Sequence, residues 1–138
     1  MGCDIHLHTE ILIDGRWHHY GAPTIQRSYK LFSKMAGVRS YPESPDPIVE
    51  PRGLPDDISF VTRKNAEYWE MDGHSYGWLS ASEIMDLEDW MRNEGMVDIH
   101  PPFDWGYLFG NSFGGFAKYP DDRSHDIDDV RFVFWFDN

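Results

Sequence analysis

Asp4, His6, His8 and Glu10 recur at every second position of the opening run Asp4-Ile5-His6-Leu7-His8-Thr9-Glu10-Ile11. The positions between them, Ile5, Leu7, Thr9 and Ile11, carry the apolar character. A period of two belongs to a β-strand with two chemically distinct faces, and no helix keeps that set on one side. The chain must therefore begin with a strand whose apolar face packs on a core and whose other face carries four ionisable groups. The pattern predicts that this polar face lines water or a ligand.

The alternation ends at Asp14-Gly15, a dipeptide that readily takes the two positive φ angles of a type I′ turn, and Arg16 to Tyr20 resumes a strand-like pattern. With Asp14 and Gly15 as the loop, Ile13 pairs with Arg16, Leu12 with Trp17 and Glu10 with His19. His19 then joins the polar face, whereas a slip of one residue would put His18 there instead. A strand rises about 3.3 Å per residue, so Asp4 and Glu10 stand about 20 Å apart and cannot share one ion. His6 and His8, about 7 Å apart, are the pair that can converge on a cation such as Zn²⁺ or Mn²⁺, with Glu10, His19 or a distant residue completing the shell. Three readings of the face stay open: a metal site, a pocket that hydrogen-bonds or exchanges protons with a polar ligand, and a solvated surface.

A length of 138 residues suits one domain, 1–138, and is too short for a barrel-type metallohydrolase. The net charge of −12 is unevenly spread. Residues 1–52 hold six Lys/Arg against six Asp/Glu, and residues 53–138 hold six against eighteen. Such a balance argues against non-specific binding to nucleic acid or to an anionic membrane, but Arg16, Arg27, Lys30, Lys34, Arg39 and Arg52 leave room for a local cationic pocket. Cys3 is the single cysteine, which rules out an internal disulfide, and its strand position predicts burial. With no long apolar run and no leader-like start, the expectation is a soluble, cytoplasmic protein, either monomeric or a homo-oligomer.

Ser28 is placed to cap a helix through Tyr29, Leu31, Phe32 and Met35, which Gly37 ends. Five prolines between 39 and 57 predict a long functional loop, a lid or pocket wall. Asp57 is placed to cap a second helix from Ser59 to Trp69, followed by a polar turn at Asp72-Gly73-His74-Ser75. Ser80 and Glu83 form a capping box before a third helix with Ile84, Leu87 and Met91 on its inner stripe and Gly95 at its stop. Glu88, Asp89 and Glu94 read as its solvated face. Trp105, Tyr107, Phe109, Phe113 and Phe116 read as core packing or as a stacking surface for a base or sugar. The closing run Val130 to Phe136 is apolar on both faces except at Arg131, as befits a central strand. Together these predict an α+β fold: an antiparallel sheet with an N-terminal hairpin and a central C-terminal strand, about three helices and a long Pro-rich loop.

Familiar catalytic patterns are missing from the sequence. It holds no phosphate-binding Gly-rich loop, no Gly-x-Ser-x-Gly, no His-Glu-x-x-His and no Cys-x-x-Cys. Candidate ligand-binding residues are Asp4, His6, His8, Glu10, Arg27, Arg39, Arg52, Asp57, His74, Ser75 and Trp78. Candidate acid/base groups are His74, Asp72 and Glu10, with His6 and His8 as the metal pair. Arginines at 27, 39 or 52 are the groups to meet a phosphate, and Trp78 is the ring to stack on a base.

Across nearly its whole length the chain resembles small hypothetical proteins of bacteriophages and their bacterial hosts. The resemblance rests on Met1-Gly2-Cys3-Asp4-Ile5-His6, Leu31-Phe32 with Ala36-Gly37-Val38-Arg39, Pro51-Arg52-Gly53-Leu54-Pro55-Asp56-Asp57, Ser80 to Trp90 and Phe134-Trp135-Phe136-Asp137-Asn138. It implies a phage-associated accessory protein acting in the host cytoplasm. The leading expectation is therefore binding of a small polar or phosphorylated, nucleotide-like molecule, with sequestration of a host-defence signal as the outcome. The alternatives are a metal-dependent hydrolase or phosphodiesterase built on His6-x-His8, and an acidic inhibitor of a protein partner.

Overall fold

The opening alternation forms strand β1 (Asp4–Ile13), which turns into β2 (Arg16–Gly21) in the computed structural model, where residues 2–96 and 127–138 are described. Asp14 and Gly15 sit at φ 49° and 78°, as a type I′ turn requires. The register is the one the turn predicts: Ile13 faces Arg16, Leu12 faces Trp17 and Glu10 faces His19. Tyr20 is then left over as a bulge, because Thr9 pairs with Gly21. β2 stops at that point, so the first half of β1 is not covered by it.

Helix α1 (Tyr29–Ala36) begins where Ser28 Oγ accepts from the Leu31 N–H and ends at Gly37, whose φ of 70° makes the left-handed stop that glycine permits. Helix α2 (Phe60–Tyr68) follows the Pro-rich segment, then strand β3 (Gly73–Ser80), helix α3 (Ala81–Asn93) and strand β4 (Asp129–Asp137). The Ser80–Glu83 capping box is present in both directions. The strands form one antiparallel sheet in the order β2-β1-β4-β3, so β4 is central, as its two-sided apolar sequence predicts. The fold is α+β.

One face of the sheet is the core. Ile5, Leu7 and Ile11 of β1 meet Phe132, Phe134 and Phe136 of β4, and α1 (Leu31, Phe32, Met35) and α3 (Ile84, Leu87, Met91) close over them. Cys3 is buried here as expected, and burial pushes its thiol pKa up. Each fully buried Leu, Ile, Phe or Met contributes about 1.5–3 kcal/mol, which makes this face the main source of stability. The other face carries the histidines, and it is not open. Helix α2 lies over it, with Thr62 and Ala66 buried and the Trp69 ring, just past its end, packed at a tilt against His6 with ring centres 4.2 Å apart.

Three local expectations are corrected. Asp57 does not cap α2: Ser59 holds the cap position, and Asp57 reaches Arg131 instead. The segment after Asp72 is not a turn between helices but strand β3, whose alternation is broken by Ser75 at φ 55° and by a register shift between His74 and Gly77. Glu88 is 8 % exposed and paired with Arg92, not solvated, while Glu94 on the surface pairs with Lys30 at 2.9 Å. The aromatics Trp105, Tyr107, Phe109, Phe113 and Phe116 lie outside the described residues. No helix among the described residues is long and apolar enough to cross a membrane.

Candidate functional site

The alternation places Glu10 beside Arg131, its register partner across β1 and β4. Glu10 is 0 % exposed and Arg131 4 %. The guanidinium binds Glu10 at 2.7–2.8 Å, Asp57 Oδ1 at 2.7 Å and the Asp57 carbonyl at 3.2 Å. The second Glu10 oxygen accepts from both the N–H and the hydroxyl of Ser59. A buried carboxylate thus sits at the start of α2, where unpaired N–H groups and the helix dipole favour negative charge. This explains why the Ser59 hydroxyl makes no cap of its own. Arg131 in turn pulls Asp57 well below the ordinary carboxylate range, chiefly through its hydrogen bond. Glu10, proposed as an acid/base, is here the clamp that seats α2 on the sheet.

Further along the same face, His6 Nε2 lies 2.6 Å from Asp137 Oδ2, and His8 Nδ1 lies 3.0 Å from His19 Nε2. Both imidazoles stack against Trp135, with centroids 6.1 and 5.0 Å away. Burial, reinforced by the neighbouring His19, drives the His8 pKa down to about 4, so this ring is neutral at physiological pH. The Trp135 Nε1–H is buried without a hydrogen-bond partner among the described residues. His6 and His8 are thus brought near one another, but each is tied to a different neighbour. Among the described residues no three His, Cys, Asp or Glu side chains are arranged to hold a metal ion.

A cleft of about 720 Å³ opens where the Pro-rich segment crosses the other end of this face. Its walls are Trp17, Trp78, Arg52, Arg131, Asp56 and Asp57, with Ser80 and Asp129 also reached. Each tryptophan carries a stacked guanidinium: Arg131 lies 3.9 Å from the Trp17 ring centre and Arg52 3.7 Å from that of Trp78. Arg52 is further held by the Trp78 carbonyl at 2.6 and 3.0 Å and by Glu83 at 2.5 Å. Burial tends to raise Glu83, but hydrogen bonds from the Ser80 N–H and from Arg52 outweigh it and leave its pKa lowered. The Asp57 carboxylate remains 67 % exposed at the rim. Stacked indoles, carboxylates and a hydroxyl can recognise a flat ring and its polar edges.

The predicted set therefore divides. Arg52, Asp57 and Trp78 meet in this cleft, with Glu10 beneath it. His6 and His8 lie at the opposite end of the face. Asp4 and Arg27 form a surface ion pair at 2.9 Å that lowers the Asp4 pKa. Arg39 stands over the Tyr29 ring at 5.2 Å and bonds Asn138, away from both groups. His74 is not oriented by Asp72: its ring nitrogens bond Ser75 Oγ at 3.0 Å and Asn138 Oδ1 at 3.2 Å. Arg131, Trp17 and Asp137 belong to these two groups but were not among the candidates that the sequence pointed to. Arg131 had a signal, being the one polar residue in an otherwise apolar strand, and Trp17 followed from the hairpin register opposite Leu12. Comparison with family models, with curated proteins and with solved structures finds no match for this chain.

Proposed function

We propose that the protein binds a small polar molecule carrying a flat, hydrogen-bonding ring, such as a nucleoside, in the cleft between Trp17 and Trp78. The observation that carries this reading is the pair of indoles lining one cavity of about 720 Å³, each with a guanidinium packed over its ring that restrains it. A stacking wall whose orientation is set in advance binds with less ordering cost than a free side chain. The exposed carboxylate of Asp57 and the hydroxyl of Ser80 supply edge contacts to amino and hydroxyl groups.

The charge of the cleft favours the ring over a phosphate. Arg131 is already paired with Glu10 and Asp57, and Arg52 with Glu83, while Asp56 and Asp129 add further negative charge. A nucleoside is accordingly the better partner, and phosphates attached to it would lie outside the cleft.

Titration calorimetry and tryptophan fluorescence with nucleobases, nucleosides and nucleotides test the reading. The expected result is saturable quenching by a nucleoside that falls at least tenfold in Trp78→Ala and Trp17→Ala. No heat and no quenching across the panel at high micromolar concentration would sink the proposal.

A further inference from the structure

A second cavity, of about 310 Å³, lies at the far end of the same sheet face, where β2 has stopped at Gly21 and the chain at 22–25 passes beside the uncovered edge of β1. It is lined by His6, His8, Thr24, Asn65 and Trp69. His6 and His8 each use one ring nitrogen within the protein, His6 Nε2 toward Asp137 and His8 Nδ1 toward His19. His6 Nδ1 and His8 Nε2 make no hydrogen bond among the described residues, and since Trp135 Nε1 is the only buried side-chain nitrogen or oxygen there without a partner, both retain contact with solvent. Asn65 donates its amide N–H to the Val61 carbonyl at 3.0 Å, which leaves Oδ1 as a further oxygen donor at the cavity.

Imidazoles whose second nitrogen is held by a carboxylate or another acceptor have the outer-shell arrangement that metal-bound histidines use. The outer partner fixes the tautomer and raises the basicity of the ligating nitrogen. Asp137 performs this for His6. His19 performs it for His8 when the His8 Nδ1–H donates to it. Two imidazoles and a carboxamide suit a borderline first-row cation and not Mg²⁺ or Ca²⁺, which require several hard oxygen ligands. The net charge of −12 raises the local concentration of any cation.

We infer that this cavity is a site for a first-row transition-metal cation of the Zn²⁺ type, held by His6 Nδ1 and His8 Nε2, with Asn65 Oδ1 and water filling the remaining positions. With so few protein ligands the site is open, which is the character of an exchangeable or reactive metal position and not of a closed structural one. The inference is independent of the Trp17–Trp78 cleft.

The test uses the chelator-stripped full chain, Zn²⁺ alone in calorimetry and Co²⁺ alone for its visible absorption. One equivalent is expected to bind. His6→Gln should abolish binding, Asp137→Asn should weaken it by about 10- to 100-fold through the lost outer-shell contact, and His74→Gln should leave it unchanged. Because His8 is buried, His8→Gln is paired with nitrogen NMR of the wild-type histidine rings, where Zn²⁺ should shift His6 Nδ1 and His8 Nε2. Absence of saturable binding at high micromolar Zn²⁺, undiminished binding in His6→Gln, or ring shifts confined to His18 or His74 would each overturn the assignment.

Discussion

Glu10 offers the sharpest test of how this fold is held, because a change to Gln keeps its shape while removing its charge and turning one of its acceptor oxygens into a donor. In the native protein its carboxylate receives two contacts from Arg131 and two from Ser59. Gln cannot accept all four, and its amide turns donors toward donors. Arg131, at 4 % exposure, is then left with Asp57 as its one carboxylate, and that group is 67 % exposed and so a weak, screened partner. Removing one side of a buried ion pair costs about 3–5 kcal/mol, most of it from the charge left behind. The lost contacts at the start of α2 act in the same direction. We therefore expect Glu10→Gln to cost about 3 kcal/mol, a large part of a total that for small domains is about 5–15 kcal/mol. Urea unfolding followed by tryptophan fluorescence and circular dichroism measures this directly. The argument makes a second demand on the double variant Glu10→Gln/Arg131→Met. If the orphaned guanidinium is the main cost, removing it as well should recover about 1–2 kcal/mol relative to Glu10→Gln alone. A loss under about 1 kcal/mol in the single variant, or simple additivity in the double, would show that the network is not what seats α2.

Three further outcomes follow from other contacts. His8 has a folded pKa of about 4 against an ordinary 6.5, so its neutral form is stabilised by the fold; the contribution is present above pH 6.5 and is lost as pH falls toward 4. In metal-free protein this amounts to about 2 kcal/mol between about pH 7 and about pH 5, read as the difference in urea stability between wild type and His8→Gln, and a parallel pH profile for the two would refute it. Ser80→Ala removes the side-chain half of the capping box and should lower stability by about 1 kcal/mol with the m-value unchanged. Gly73→Ala places a Cβ 2.9 Å from the Trp69 carbonyl and against the Tyr76 hydroxyl, so about 1–3 kcal/mol should be lost in thermal unfolding, whereas Gly15→Ala meets no neighbour and is penalised only for its φ of 78°.

Which of these features could be read in advance depended on how local their causes are. The hairpin register follows from two turn residues and a period of two, and the caps at Ser28 and Ser80 follow from donors within three residues of their acceptors. The polar face was legible as a set of residues turned toward water or a ligand, but the helix that covers it was not, because alternation reports which side chains share a side and says nothing of what lies over them. The covering element, α2, presents the small residues Thr62 and Ala66 to the sheet and keeps Phe60, Val61 and Tyr68 exposed, so its own sequence hides the face it buries. β3 was missed for a related reason: Ser75 at positive φ interrupts the period just where a strand would be recognised.

The one residue that breaks the pattern of β4 is also the one that organises the site. Arg131 costs the fold a buried charge in a strand whose other interior residues, 130 and 132–136, are all Val, Phe or Trp, and its carboxylate partners are far away in sequence. Glu10 lies 121 residues away and Asp57 74. A lone charge in an apolar run therefore predicts a distant carboxylate on the register partner or on the element above it, since an unpaired guanidinium at 4 % exposure would not be tolerated. Once β4 is paired with β1, Glu10 is the carboxylate opposite, and Asp57 completes the guanidinium from the loop that precedes α2. The same guanidinium then packs over the Trp17 ring, 3.9 Å from its centre. The ion pair that seats α2 thus also forms one wall of the Trp17–Trp78 cleft, so Arg131→Lys, which keeps the charge but loses the planar fork, should weaken the binding proposed there as well as stability.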